Sequence, residues 1–203
     1  PQPIAAALGS RLSIDEPTAY LVVDIGGGVT NVAIISMNGI VVSQRIKIAG
    51  NRFNEDIIRL VREEFKMTIG EPTAEEIKIA IGNAVPQTEK LEISARGQDI
   101  GSGLPKEIAV RDHLVRLSFG RSLRELITSI RETIEITPPE LVGDIYRNGL
   151  YLCGGGSLLR GIDELIQKEL SVNVQRVDDP LSCVVRGTGV IIENLPKYEG
   201  LLY

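Results

Sequence analysis

Apolar residues along this chain recur with two different periods. Tyr20–Ile25, Val32–Ser36 and Ile40–Ile48 are short, dense apolar runs that predict three strands, with Asn38-Gly39 between the last two as a hairpin signal. From Asn54 to Phe65 the spacing changes. Ile57, Ile58, Val61 and Phe65 recur as one helix face. Thr73-Ala74-Glu75-Glu76 has the form of a capping box and predicts a short helix through Ile81. In that reading Glu76 caps, while Glu75 and Lys78 face elsewhere, toward solvent or a ligand. Leu91–Arg96 and Glu107–Val110 predict a strand pair around Gly101-Ser102-Gly103. Asp112–Ile136 predicts one long helix with Leu123, Leu126, Ile127, Ile130 and Ile134 on a face, ended by Pro138-Pro139. A helix over Glu140–Arg147, a strand over Leu150–Cys153, a helix over Leu158–Glu169 and a strand over Val172–Val177 follow. Asp178-Asp179-Pro180 then breaks into a last helix ending near Glu193, with a loosely held tail from Pro196.

This order predicts an α/β fold interrupted by a smaller α+β insertion. Residues 1–51 and 111–203 would form the main lobe and residues 52–110 the insertion. With 203 residues the chain is long enough to bury a substantial core. The net charge of −5, the absence of Trp and the lack of a basic run with interleaved aromatics argue against a dedicated nucleic-acid binder. No apolar stretch reaches the length of a membrane span, and the opening residues do not read as a signal peptide. The chain starts on Pro1-Gln2-Pro3 without methionine and reads as the middle of a longer polypeptide.

The chemistry concentrates in two glycine turns. In Val22-Val23-Asp24-Ile25-Gly26-Gly27-Gly28-Val29 a predicted strand ends in an aspartate and three glycines. Glycines admit positive φ and close approach, successive N–H groups form an anion-binding concavity, and an aspartate there serves a metal ion or its water shell. Leu152-Cys153-Gly154-Gly155-Gly156-Ser157 repeats the turn after another strand. One such turn is ordinarily a tight connection; two, one with an aspartate, point to a phosphate or nucleotide. Neither spells the dinucleotide fingerprint or the Walker loop. Cys153 and Cys183 are the only cysteines and read as buried, unbridged residues. His113, the single histidine, reads as a surface or capping residue near a helix start, without partners for a Ser-His-Asp mechanism.

These motifs, together with Pro3-Ile4-Ala5-Ala6-Ala7-Leu8-Gly9, Ile48-Ala49-Gly50-Asn51-Arg52-Phe53-Asn54-Glu55, Ile69-Gly70-Glu71-Pro72-Thr73-Ala74-Glu75-Glu76-Ile77-Lys78, Thr137-Pro138-Pro139-Glu140-Leu141 and Cys153–Gly161, resemble the MreB family of bacterial actin-like rod-shape proteins over nearly the whole chain. The resemblance implies an actin-like, ribonuclease H-like ATPase lobe that binds ATP and Mg2+. Gly26, Gly27 and Gly28 would be a phosphate loop and Asp24 would act on the metal through water. Glu75, Glu76 and Lys78 would lie beside the adenosine, and Gly154, Gly155, Gly156 and Ser157 would close over the nucleotide. Gln2, Val29 and Thr30 would fall around the attacking water. Two of these depart from the family pattern, with Gln2 where a water-activating glutamate is usual and Val29 where a threonine is usual; Asn31 likewise replaces a glutamate. Glutamine and valine are what actin itself uses, which speaks for slow hydrolysis. The family's opening half, with its first phosphate loop, is not matched, so the chain alone would be inactive. The whole protein would form a head-to-tail filament that organises cell-wall synthesis with membrane-protein partners, cytoplasmic and peripheral to the inner face of the membrane. The alternative is a non-polymerising relative, either a chaperone-like ATPase or a small-molecule kinase.

Overall fold

The computed structural model describes residues 1–201, which form two sheets with helices packed around them. In the larger sheet β1 (Tyr20–Ile25), β2 (Thr30–Ser36) and β3 (Gly39–Ile46) are an antiparallel meander. The smaller sheet holds β4 (Met67–Thr68), β5 (Glu92–Asp99) and β6 (Pro105–Arg111), all antiparallel. β7 (Leu150–Cys153) and β8 (Val174–Arg176) return to the larger sheet parallel to β1, giving the order β3-β2-β1-β7-β8. Met37 and Asn38 sit at φ 49° and 59°, the left-handed pair that a two-residue hairpin needs, and Ser36 faces Gly39 across it.

β1 is central, and its alternate side chains feed two cores. Leu21, Val23 and Ile25 join Val32, Ile34 and Leu152 on one face. There they meet α2 (Gly50–Phe65), α5 (Gly120–Glu135), α6 (Pro139–Asn148) and α7 (Ile162–Leu170). Val22, Ala33, Ile35 and Cys153 line the other face under α1 (Gln2–Gly9) and α8 (Cys183–Glu193). The last two helices cross on small residues. A Cβ at Gly9 would lie 1.8 Å from the Cys183 carbonyl oxygen, and one at Gly187 1.7 Å from that of Ala5. Backbone therefore touches backbone at this seam.

Five elements differ from the sequence expectation. Gln2–Gly9 forms a helix, buried from Ile4 to Gly9, where the chain gave no periodic signal. The capping box is absent, because α3 (Glu71–Ile81) starts two residues before Thr73, after Gly70 and with Pro72 in its first turn. The long run divides into α4 (Asp112–Ser118) and α5 at Phe119, whose ring is buried 5.1 Å from that of Phe53. The helix expected from Leu158 begins only at Ile162. Arg160 is drawn into a bridge with Asn83, where its carbonyl accepts from Ala84 N–H at 2.7 Å, and Gly161 turns at φ 69°. The tail is also better fixed than expected: α9 (Leu195–Tyr198) buries Tyr198 in the second core.

Asp56 on α2 is buried and accepts a hydrogen bond from the Ser122 hydroxyl of α5. Burial raises its pKa despite that bond and nearby Arg52 and Arg59. A carboxyl raised in the folded state favours folding below its unfolded pKa and loses that contribution as pH rises through the folded value. Asp56→Asn removes the buried charge, so it should raise the urea midpoint at pH 7. Its advantage over the parent chain should vanish below about pH 4, and a pH series of urea melts checks this.

Candidate functional site

The first glycine turn is held by its own carbonyls. Gly26 N–H donates to Val29 O at 3.0 Å, while Gly26 O and Gly27 O accept from Gly50 N–H (3.0 Å) and Asn51 N–H (2.7 Å) at the start of α2. The N–H groups of Gly27 and Gly28 have no acceptor among the described residues. None of the three glycines sits at positive φ, contrary to the expectation that this turn needs it. Gly28 has open space where a Cβ would stand, so the bare backbone faces outward.

The second turn is built differently. Gly154 has φ 81°, and a Cβ there would lie 2.4 Å from Ile25 O and 2.5 Å from Asp24 Oδ1. A Cβ at Gly156 would meet Ile25 Cγ2 at 2.2 Å. Glycine is thus required for the two turns to pack against each other. Ser157 is fully buried, and its hydroxyl donates to Gly154 O at 2.7 Å, fastening the turn. Gly155 and Gly156 N–H have no acceptor among the described residues.

Between the turns and α3 lies a cavity of about 460 Å3. One end carries Gly26, Gly27 and Gly50; Gly155 and Gly156 stand opposite. Ile79, Leu158 and Leu181 line it yet remain 68, 47 and 69% exposed, an apolar wall with no protein partner covering it. Glu75 and Lys78 close a third side. Lys78 Nζ donates to Glu75 Oε2 (2.7 Å) and Gly50 O (3.1 Å), and Asn54 Nδ2 donates to the same carboxylate oxygen at 2.8 Å. Burial pushes the Glu75 carboxyl up, but the Lys78 and Asn54 hydrogen bonds outweigh it and hold the pKa below the ordinary value.

Asp24 is the penultimate residue of β1, is 3% exposed and does not itself line the cavity; its Oδ1 lies against Gly154. Gln2 Nε2 donates to its Oδ2 at 2.7 Å, and Asn31 is its neighbour in the β1–β2 register. Burial raises the Asp24 pKa against those neighbours. Behind it lie Cys153 and Cys183, buried and unbridged as expected. The neighbouring Cys183 thiol, and then burial, raise Cys153, while Cys183 Sγ donates to Ala6 O at 3.2 Å. His113 is exposed at the first turn of α4.

Of the expected site residues, Gln2, Asp24, Gly28, Val29, Gly154 and Ser157 do not line the cavity, and Glu76 and Thr30 stand apart from the group altogether. Glu76 lines a separate groove on another face of α3, with Ile93 and Arg96, because one helical step turns it away from Glu75 and Lys78. Thr30 is fully buried and its hydroxyl donates to Ile48 O at 2.6 Å, so it ties β2 to the segment leading into α2 and is not free to face a water. Sequence reasoning also left Asn54 and the apolar wall unassigned. Asn54 read only as a helix position, and the wall residues come from three distant segments.

A mixed sheet bearing two packed glycine turns, with an α+β insertion forming the third side of the cleft, is the actin-like ATPase fold. Within that class the chain belongs to the MreB/Mbl family, whose family model, described as MreB/Mbl protein, matches residues 1–200. It is 42% identical over 97% of its length to the cell shape-determining protein Mbl of Bacillus subtilis, and 41% identical over its full length to the cell shape-determining protein MreB of Escherichia coli. It spans 59% and 58% of those two proteins. The crystal structure of MreB5 of Spiroplasma citri bound to AMPPNP superposes with a TM-score of 0.93 at 40% identity, covering 97% of this chain and 59% of that one. No helix among the described residues is long and apolar enough to cross a membrane.

Proposed function

We propose that this chain is the nucleotide-holding lobe of an ATP-dependent filament protein that organises cell-wall synthesis and rod shape. The observation that carries the reading is the cavity with unpartnered glycine N–H groups at one end and an apolar wall beside it, which suits phosphates and a base respectively. The AMPPNP complex of the Spiroplasma relative supports it. Gly27 and Gly28 donate to phosphate oxygens from one side, Gly155 and Gly156 from the other. The base stacks along Ile79, Leu158 and Leu181, and the Lys78–Glu75 pair engages the sugar.

Mg2+ fits the donors present. It binds through one or two carboxylates, waters and substrate phosphates, and Asp24 is the carboxylate beside the turns. Among the described residues no cluster of three or more ligating side chains would form an all-protein cage. Bound there, Mg2+ would neutralise phosphate charge. Gln2 and Val29 stand at the water-facing positions, and an amide orients a water but is a negligible base, which favours slow hydrolysis. The filament would grow by head-to-tail contacts, with ATP favouring the polymer and hydrolysis weakening it. Its partners would be further copies and membrane proteins of wall synthesis at the inner face of the cell membrane. A non-polymerising ATPase would stay in the supernatant when the whole protein is sedimented with ATP.

The test is an ATP titration of the chain followed by amide NMR. The Gly27, Gly28, Gly155 and Gly156 resonances should move together. Lys78→Ala should weaken the apparent affinity about tenfold, since hydrogen bonds to charged groups contribute about 1.5–3 kcal/mol. If those four resonances stay still at millimolar ATP, the reading fails.

A further inference from the structure

We propose that Gln2 competes with the divalent cation for Asp24, so that its amide sets the cation affinity of the site; this rests on the nucleotide reading above. The two carboxylate oxygens of Asp24 are not equivalent. Oδ1 faces the Gly154 backbone so closely that a Cβ there would come within 2.5 Å of it. Oδ2 is instead held by Gln2, whose Nε2 donates to it at 2.7 Å. A cation at Oδ2 would have to displace the amide N–H or share the oxygen with it, and the positive partial charge of the amide proton opposes that.

The position of Gln2 suits a removable partner. Asp24 is buried while Gln2 is exposed, on the first turn of α1, so its side chain can withdraw into water without disturbing a core. Rotation of the terminal amide about χ3 also exchanges Nε2 for Oε1. The residue can thus release the carboxylate and present an acceptor to the water shell of a bound ion. Asn31, paired with Asp24 across β1 and β2, is 8% exposed and, like Gln2, favours the charged form of the carboxylate.

The site therefore has a cation-free form in which a neutral amide satisfies the buried carboxylate, and a loaded form in which it does not. A glutamate at position 2 could not donate to Asp24. It would face a like charge until a cation arrived.

The experiment uses Mn2+ as the probe, read by electron paramagnetic resonance on the chain with ADP present. Gln2→Leu removes the competing donor and should tighten Mn2+ binding by about three- to tenfold, within the range of a typical hydrogen bond's net contribution. Gln2→Glu should tighten it further, and Asp24→Asn should nearly abolish it. In the parent chain the Gln2 side-chain NH2 resonance should shift when Mg2+ and ADP are added together. Unchanged or weaker Mn2+ binding by Gln2→Leu overturns the proposal, as does a Gln2 resonance that ignores Mg2+. Failure of ADP itself to move the glycine resonances would instead overturn the nucleotide reading.

Discussion

Gly187→Ala is expected to lower the urea midpoint of the chain sharply, while Gly189→Ala, two residues along the same helix, raises it. A methyl at Gly187 would stand 1.7 Å from Ala5 O and 2.8 Å from Gly9 N. Both obstacles are backbone of α1, so no side chain can rotate aside. Overpacking a core typically costs about 1–3 kcal/mol, and a backbone obstacle places this change at or above the upper end. That is a large part of a stability of about 5–15 kcal/mol. At Gly189 nothing lies within 4 Å of the added carbon. There alanine brings only its better helix propensity, about 0.8–1 kcal/mol. Urea melts followed by circular dichroism check the opposite signs. Two shifts of the same sign would show that the α1–α8 contact is not as close as described.

The second large effect is at the site. Gly154→Ala should cost about 3 kcal/mol or more, combining backbone strain at a glycine-only conformation with overpacking. Its backbone has φ 81° and ψ 161°, and its new methyl would press on Ile25 O and Asp24 Oδ1 together. The strand end and the carboxylate must both move, so ATP should no longer shift the glycine resonances of the two turns in concert. Gly28→Ala, with open space around the added methyl, should leave stability within about 0.5 kcal/mol, as for ordinary surface positions. Equal losses in the two variants would refute the distinction drawn between the two turns.

Much of this arrangement was readable from the residues. β1 has the predicted bounds, since a buried central strand is a continuous apolar run between polar stops. A hairpin follows Ser36 where Asn38-Gly39 signals one, but its turn pair is Met37-Asn38, one position earlier, and Gly39 opens β3; both glycine turns stand at strand ends as expected. What escaped depends on distant neighbours. α1 has no polar face to create a period, because α8 covers one side and the sheet another. Glu76 and Thr30 enter the expected site through the family resemblance, which carries no information on side-chain direction. Which way a side chain points is decided one residue at a time, by helix phase for Glu76 and by the Ile48 carbonyl for Thr30. The division at Phe119 reflects the ring of Phe53, 66 positions earlier, and no local pattern announces it.

The glycine seam has a mechanical consequence. Helices that meet through side chains can absorb a displacement by repacking rotamers, but α1 and α8 meet through main chain at Gly9, Ala5 and Gly187, where there is no such slack. Gln2 rides on the first turn of α1, at the far end from Gly9. A displacement of either helix along this seam would therefore carry the other with it, so α1 and α8, with the exposed Val185 and Ile192, act as one stiff element of the lobe.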